Sequence, residues 1–428
     1  MKKLIILITI LTVTGCAQPV QTQVTSPVTT YITSEGIGQI AVQIEFPSAP
    51  RYEEGAPIIV YTPSTFFTRD TQEFVTLKGI TDQGFIEISM NLPGRGGSDG
   101  TNDYGGEDSM KAFRDVVKFA SGDLKNTDGK TLCELIPIEP LYSDVGIYAF
   151  SHPGILATNT LATYGSELQG VDYFVGRENP TNDQLSALEV GQYVQLYEDG
   201  GESGMKNTLY DYTEDYSPEE LTIDYSSIRY DQETATLYFD KNLNGKIGIL
   251  DEYVFGEKVP EMFGKKCYSV ALLTALRENG SIASATWPED LATPEEASEW
   301  WSIRETNDYY SLLADSLPNL KVMLVFADLD HVQTAADKPH IHQAYDGFHE
   351  IAGLWTRLNP DSSYLKSLDI DMEHDANTEP EDWGEIDAWA YKKSNTSNVL
   401  VPIAGILEMA DRTYYGEWGE NLTEALQK

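Results

Sequence analysis

The stretch Gly146-Ile147-Tyr148-Ala149-Phe150-Ser151-His152-Pro153-Gly154 runs from an apolar strand pattern straight into a helical one. Val145 to Phe150 is a short apolar run of strand length, and Pro153 to about Tyr164 reads as a helix, opened by a proline whose missing N–H a first helical turn does not need. A serine at such a junction sits on a sharp turn, which requires small or turn-compatible residues two positions to either side. Here those residues are Ala149 and Pro153, where the usual pattern has glycine at both. Ala has the smallest Cβ, and Pro suits the first helical position, so the turn remains feasible. Ser151 is therefore a candidate nucleophile, and the N–H of His152, at the start of the helix, is a candidate oxyanion donor.

On the N-terminal side, Ile40 to Phe46 alternates, Pro57 to Tyr61 is a short apolar run and Gly84 to Met90 is another, so each reads as a strand. Asp108 to Ala120 places Met110, Phe113, Val116, Val117 and Ala120 on one helical stripe. Val171 to Val175 supplies a further strand. Strands alternating with helices predict an α/β fold with a mostly parallel sheet flanked by helices. The alternation lapses from about Asn179 to Arg304, an acidic, Tyr-rich stretch with a hairpin-like pattern from Thr234 to Ile249 and a Trp-bearing helical segment from Glu295 to Trp301. It resumes with a helix at Tyr309 to Leu317, a strand at Leu320 to Phe326 and a long helix predicted from His342 to Leu358. Aromatic residues of the interruption, Trp300 and Trp301 among them, fit either a core of its own or the lining of a cleft.

A literal Gly-x-Ser-x-Gly occurs at Gly96-Gly97-Ser98-Asp99-Gly100, but Ser98 lies beyond its strand and well before the next helix, which makes it a loop serine. The strand-turn-helix at Ser151 resembles that of the α/β-hydrolase family, whose sites follow the order Ser, Asp, His. That resemblance implies an acid in the loop Ala327-Asp328-Leu329-Asp330-His331-Val332, with Asp330 the closer match and Asp328 its competitor. It implies a histidine one helix later, in Asp371-Met372-Glu373-His374-Asp375-Ala376, which singles out His374. The loop Thr62-Pro63-Ser64-Thr65 stands where the family carries a second oxyanion donor; Pro63 has no N–H, so Ser64 is the first available. Asn91 to Gly100 resembles a Gly-rich structural loop of such hydrolases. The implied chemistry is attack by Ser151 on an acyl carbonyl, with no cofactor.

A second motif runs from Asp240-Lys241-Asn242-Leu243-Asn244-Gly245-Lys246 to Asp251-Glu252. Oxygen side chains at Asp240, Asn242 and Asn244, glycine at Gly245, the backbone carbonyl of Lys246 and an acid at Asp251 match the spacing of an EF-hand-like Ca²⁺ loop. The competing reading is a hairpin of Leu237-Tyr238-Phe239 with Ile247-Gly248-Ile249 around the Asn244-Gly245 turn.

Lys2 and Lys3 precede an apolar run from Leu4 to Val13, too short to span a bilayer and followed by Val13-Thr14-Gly15-Cys16. This resembles a lipoprotein signal, residues 1–15, with Cys16 the lipidated residue and the protein held at a membrane from the extracytoplasmic side. Residues 16–36, nearly uncharged and rich in Thr, Val and Pro, read as a tether. The remaining division is a hydrolase core at 37–178, an insertion or cap at 179–304 and the second half of the core at 305–428. Cys133 and Cys267 either pair or are both buried thiols. In a chain of 428 residues, 68 Asp and Glu against 29 Lys and Arg give a net charge of −39, which repels nucleic acid. The expected function is hydrolysis of carboxylic esters, on a small-molecule or polymeric acyl substrate. Its rivals are a peptidase of the same fold and a non-catalytic surface binding protein stabilised by Ca²⁺.

Overall fold

The computed structural model describes residues 26–63, 74–182, 225–233, 235–240, 243–246, 264–326, 339–368, 397–419, 422 and 426, with backbone alone at 193–196, 202–205, 225, 236, 239, 253–255, 261–262, 339 and 397–399. In chain order the first half contains β1 (Val28–Ser34), β2 (Gly38–Glu45), β3 (Ala56–Tyr61), β4 (Ile86–Met90), α1 (Glu107–Ala120), α2 (Leu132–Leu135), β5 (Pro140–Phe150), α3 (Pro153–Tyr164) and β6 (Tyr173–Arg177). The interruption contributes β7 (Tyr193–Leu196), β8 (Glu202–Met205), β9 (Ile228–Asp231), β10 (Thr236–Phe239), β11 (Tyr253–Phe255), β12 (Glu261–Met262), β13 (Lys265–Lys266), α4 (Val270–Glu278) and α5 (Pro294–Ser302). After it come α6 (Tyr310–Ser316), β14 (Lys321–Val325), α7 (Pro339–Tyr345), β15 (Trp355–Leu358), α8 (Ser362–Ser367) and α9 (Ser397–Tyr415).

The main sheet has eight strands in the order β1-β2-β4-β3-β5-β6-β14-β15. From β4 to β15 every neighbouring pair is parallel, while β2 runs antiparallel to both β1 and β4. This is the α/β-hydrolase fold. Its central strands are mostly apolar because both faces are covered, with Glu87 and Ser89 of β4 and Asp144 of β5 buried among them. In β3, Ile58 and Val60 join the core beneath α1 and α3, whereas Ile59 joins the core beneath α8 and α9. The predicted stripe of α1 is buried, and Glu107, Asp108 and Lys118 stand at the ends that the helix dipole favours.

Two expectations are corrected, and the pairing of Cys133 with Cys267, left open above, is excluded. Residues 28–34, assigned to the tether, are β1, an edge strand paired with β2 from Val28↔Ile44 to Ser34↔Gly38. The helix predicted to reach Leu358 ends as a π-helical turn at Asp346–Ile351. Gly353 then adopts φ +65°, which a residue with a Cβ takes only with strain, and Trp355–Leu358 pairs parallel to β14 as the last strand. Cys267 is a thiol buried in the interruption and not half of a disulfide.

The interruption is built on a separate antiparallel sheet, β8-β7-β11-β10-β9. Its own core gathers Ile228, Leu237, Tyr268, Leu272, Leu276, Trp300 and Trp301, so both tryptophans are core residues and not a cleft lining. β10 pairs with β9 on one side and β11 on the other; residues 247–249, the second half of the hairpin alternative, lie outside the described residues.

Candidate active site

β5 lies between β3 and β6, with Tyr61 opposite Tyr148 and Phe150 opposite Arg177. Immediately past its end, Ser151 has φ +61°. A side-chain-bearing residue held there costs about 1–3 kcal/mol, and such strain persists only where the surroundings fix it. Both backbone polar groups of Ser151 are fixed. Its N–H donates to the Arg177 carbonyl at 2.8 Å, and its carbonyl accepts from Gly154 N at 2.9 Å and Asn179 Nδ2 at 2.7 Å. His152 follows with helical φ −49° and ψ −34°, and Pro153 opens α3. Ala149 is fully buried and fits without glycine. The strained serine between strand and helix is thus present, and the His152 N–H lies in the first turn of α3, where helical N–H groups lack an intrahelical acceptor.

The imidazole of His152 is buried, and that burial pulls its pKa down to about 3. A ring that refuses a proton near neutrality is unsuited to general-base work despite its position beside the serine. Its ring centroid lies 6.2 Å from that of Trp301, whose Nε1 donates to the Tyr268 carbonyl at 3.0 Å. The interruption therefore packs on the shoulder of the elbow. Its exit is anchored by Arg304, which lies 4.0 Å from the Trp300 ring and donates to the carbonyls of Tyr104 at 2.9 Å, Trp300 and Asp103. Burial lowers the Arg304 pKa to about 10, with Asp103 opposing it.

Ser64, Asp330 and His374 lie outside the described residues, as do Asp328 and Cys16. The strands that precede Ser64 and Asp330, β3 and β14, run parallel to β5 and end on the same edge of the sheet as Ser151. The end of β14 is fastened to that of β15, with Phe326 N donating to Asn359 Oδ1 at 2.9 Å and Asn359 Nδ2 donating to the Phe326 carbonyl at 3.2 Å. The carboxylate of Glu178 and Nε2 of His340 meet at 2.7 Å, both buried. That contact joins the end of β6 to the start of α7. Ser98 is a loop residue: its Oγ accepts from Ala41 N and donates to the Asn91 carbonyl, both at 2.9 Å.

At the second motif, Asp240 is fully buried and its carboxylate accepts from the backbone N–H groups of Asn244 and Gly245, each at 3.0 Å, with Arg229 Nε 3.7 Å away. Asn244 Oδ1 in turn accepts from Lys246 N at 2.7 Å. These oxygens close a turn, and among the described residues no group of three or more His, Cys, Asp or Glu is gathered as for a metal. Asn242 and Asp251 lie outside the described residues. The structure gives Ca²⁺ no support.

The chain matches no protein-family model and no curated protein. Solved structures do resemble it. An acylaminoacyl peptidase from Pyrococcus horikoshii shares 10% identity over 93% of this chain and 42% of its own, with a TM-score of 0.40. Dipeptidyl peptidase 4 of Porphyromonas gingivalis shares 10% over 78% of this chain and 31% of its own, with a TM-score of 0.36. An α/β serine hydrolase without a lid from Xanthomonas campestris shares 14% over 37% of this chain and 64% of its own, with a TM-score of 0.25. The chain thus spans less than half the length of either peptidase.

Proposed function

We propose that the protein is an extracytoplasmic serine hydrolase that cleaves carboxylic esters, held at a membrane surface by lipid on Cys16. The observation that carries this reading is the left-handed backbone of Ser151 at the end of β5, since a strained serine at a strand-to-helix turn is the arrangement that exposes a nucleophile at the top of such a sheet. In the proposed reaction Ser151 Oγ attacks the acyl carbon while His374 takes its proton. Asp330 orients the imidazole, and the N–H groups of His152 and Ser64 hold the oxyanion. Collapse expels the alcohol with the proton from His374, and water releases the acyl group by the same steps. Anchoring by lipid is compatible with the absence, among the described residues, of a helix long and apolar enough to cross a membrane.

The test is hydrolysis of a short p-nitrophenyl ester. The reading expects activity that is lost in Ser151→Ala and in His374→Ala while both variants stay folded; activity unchanged in either would refute it. A matched p-nitroanilide cleaved faster than the ester would move the assignment from esters to amides.

A further inference from the structure

Asn179, two residues past the end of β6, turns its carboxamide toward the elbow. Its Nδ2 lies 2.7 Å from the Ser151 carbonyl, 3.1 Å from that of Arg177 and 3.3 Å from that of Ala149. Three carbonyl oxygens surround that end of the amide, so only the NH₂ can face them. The Asn179 Oδ1 is buried with no hydrogen-bond partner, which makes the donor end the group that gives this side chain its place. Two glycines leave room for it. A Cβ on Gly154 would stand 2.3 Å from Asn179 Cγ, and one on Gly176 would stand 2.2 Å from Asn179 Oδ1.

We propose that Asn179 is a positioning residue for the nucleophile: its amide draws the carbonyls on both sides of the elbow onto the exit of β6 and so holds Ser151 in its left-handed conformation. The proposal rests on the reading of Ser151 as the nucleophile. It also accounts for the departure from glycine at positions 149 and 153. At this elbow the small residues that matter are Gly154 and Gly176, which accommodate the carboxamide. A backbone fixed at N by Arg177 and at the carbonyl by Asn179 keeps Oγ within the narrow range that attack requires, where an error of about 1 Å costs on the order of a hundredfold in rate.

The experiment measures the second-order rate of fluorophosphonate labelling and the thermal unfolding midpoint for the full chain, Asn179→Asp and Asn179→Ala, from acid to alkaline pH. Asn179→Asp keeps the shape, but when ionised it sets a carboxylate against three carbonyls. When protonated it regains one O–H donor for the Ser151 carbonyl. The expected result is labelling of Asn179→Asp about 10- to 100-fold slower than the unsubstituted chain at alkaline pH, with the ratio of the two rates returning toward one as the pH falls. Asn179→Ala stays slow at every pH. Labelling of both variants at the full rate overturns the proposal, as does a loss in Asn179→Asp that is uniform across pH and follows the unfolding midpoint. If the unsubstituted chain itself is not labelled, it is the assignment of Ser151 that fails, and this proposal falls with it.

Discussion

The N–H of Ser151 donates to the carbonyl of Arg177 across 2.8 Å, so the residue that leaves β5 is registered against the residue that ends β6. Arg177 also places its guanidinium 4.4 Å from the ring centroid of Phe150, the last residue before the turn. The elbow is therefore braced from the neighbouring strand through backbone and side chain together, which is how a non-glycine residue keeps a left-handed backbone.

His152 separates two roles that adjacency in sequence would confuse. Its N–H is the proposed oxyanion donor, while its ring, held near a pKa of 3 by burial, is neutral throughout the working range. His152→Gln retains the backbone donor. Its kcat/KM profile should keep an acid limb near the ordinary imidazole value, with kcat reduced by less than about tenfold. Disappearance of the acid limb would make His152 the general base after all.

Glu87 sets a pH dependence of stability. Its side chain is buried on the face covered by α8 and α9, and desolvation raises its pKa to about 8, against the opposing N–H of Leu77 and with a smaller upward contribution from Glu45. Unfolded, the same group ionises near 4.5. The native state therefore holds a proton that the unfolded state has lost, and the stability this group contributes is whole in acid and drains away as pH rises from 4.5 through about 8. Glu87→Gln keeps an acceptor for Leu77 and removes the titration. Its unfolding midpoint should exceed that of the unsubstituted chain at about pH 9 and lose that advantage at about pH 4. A constant difference across pH would show that Glu87 does not titrate in this window.

Arg304 fastens the interruption to the core through the backbone carbonyls of Asp103 and Tyr104, and also holds that of Trp300 within the interruption itself. Arg304→Ala leaves them without their donor and should lower stability by about 2–4 kcal/mol. Arg304→Lys should recover less than half of that, because an ammonium cannot span the three as a planar fork does. Urea unfolding at constant slope measures both, and a loss below about 1 kcal/mol would show that water replaces the guanidinium.

The sequence announces those elements whose apolar pattern has a single explanation. β3, residues 145–150 of β5 and residues 322–325 of β14 are continuous apolar runs because both faces are covered, and α1 carries one clean stripe. β1 is silent for an opposite reason. Its inward residues Thr30 and Ser34 are polar and are satisfied by Asn126 Nδ2 at 2.9 Å and Asp115 Oδ2 at 2.7 Å, so no hydrophobic alternation marks the strand. β15 was masked by coincidence: Ala344, Phe348, Ile351 and Trp355 keep helical spacing across Gly353, where the chain in fact reverses into the sheet. At the site, the serine was legible from its turn, whereas Asn179 was not. A polar residue in a loop after a strand carries no sign of the three carbonyls that surround it.

Ser151 is the proposed nucleophile, and active-site labelling with a fluorophosphonate, read by intact mass and by the mass of the modified peptide, tests that role most directly. The expected result is a single adduct on Ser151, absent from Ser151→Ala and strongly slowed in His374→Ala. A folded chain that takes no label, or an adduct that persists in Ser151→Ala, would contradict it.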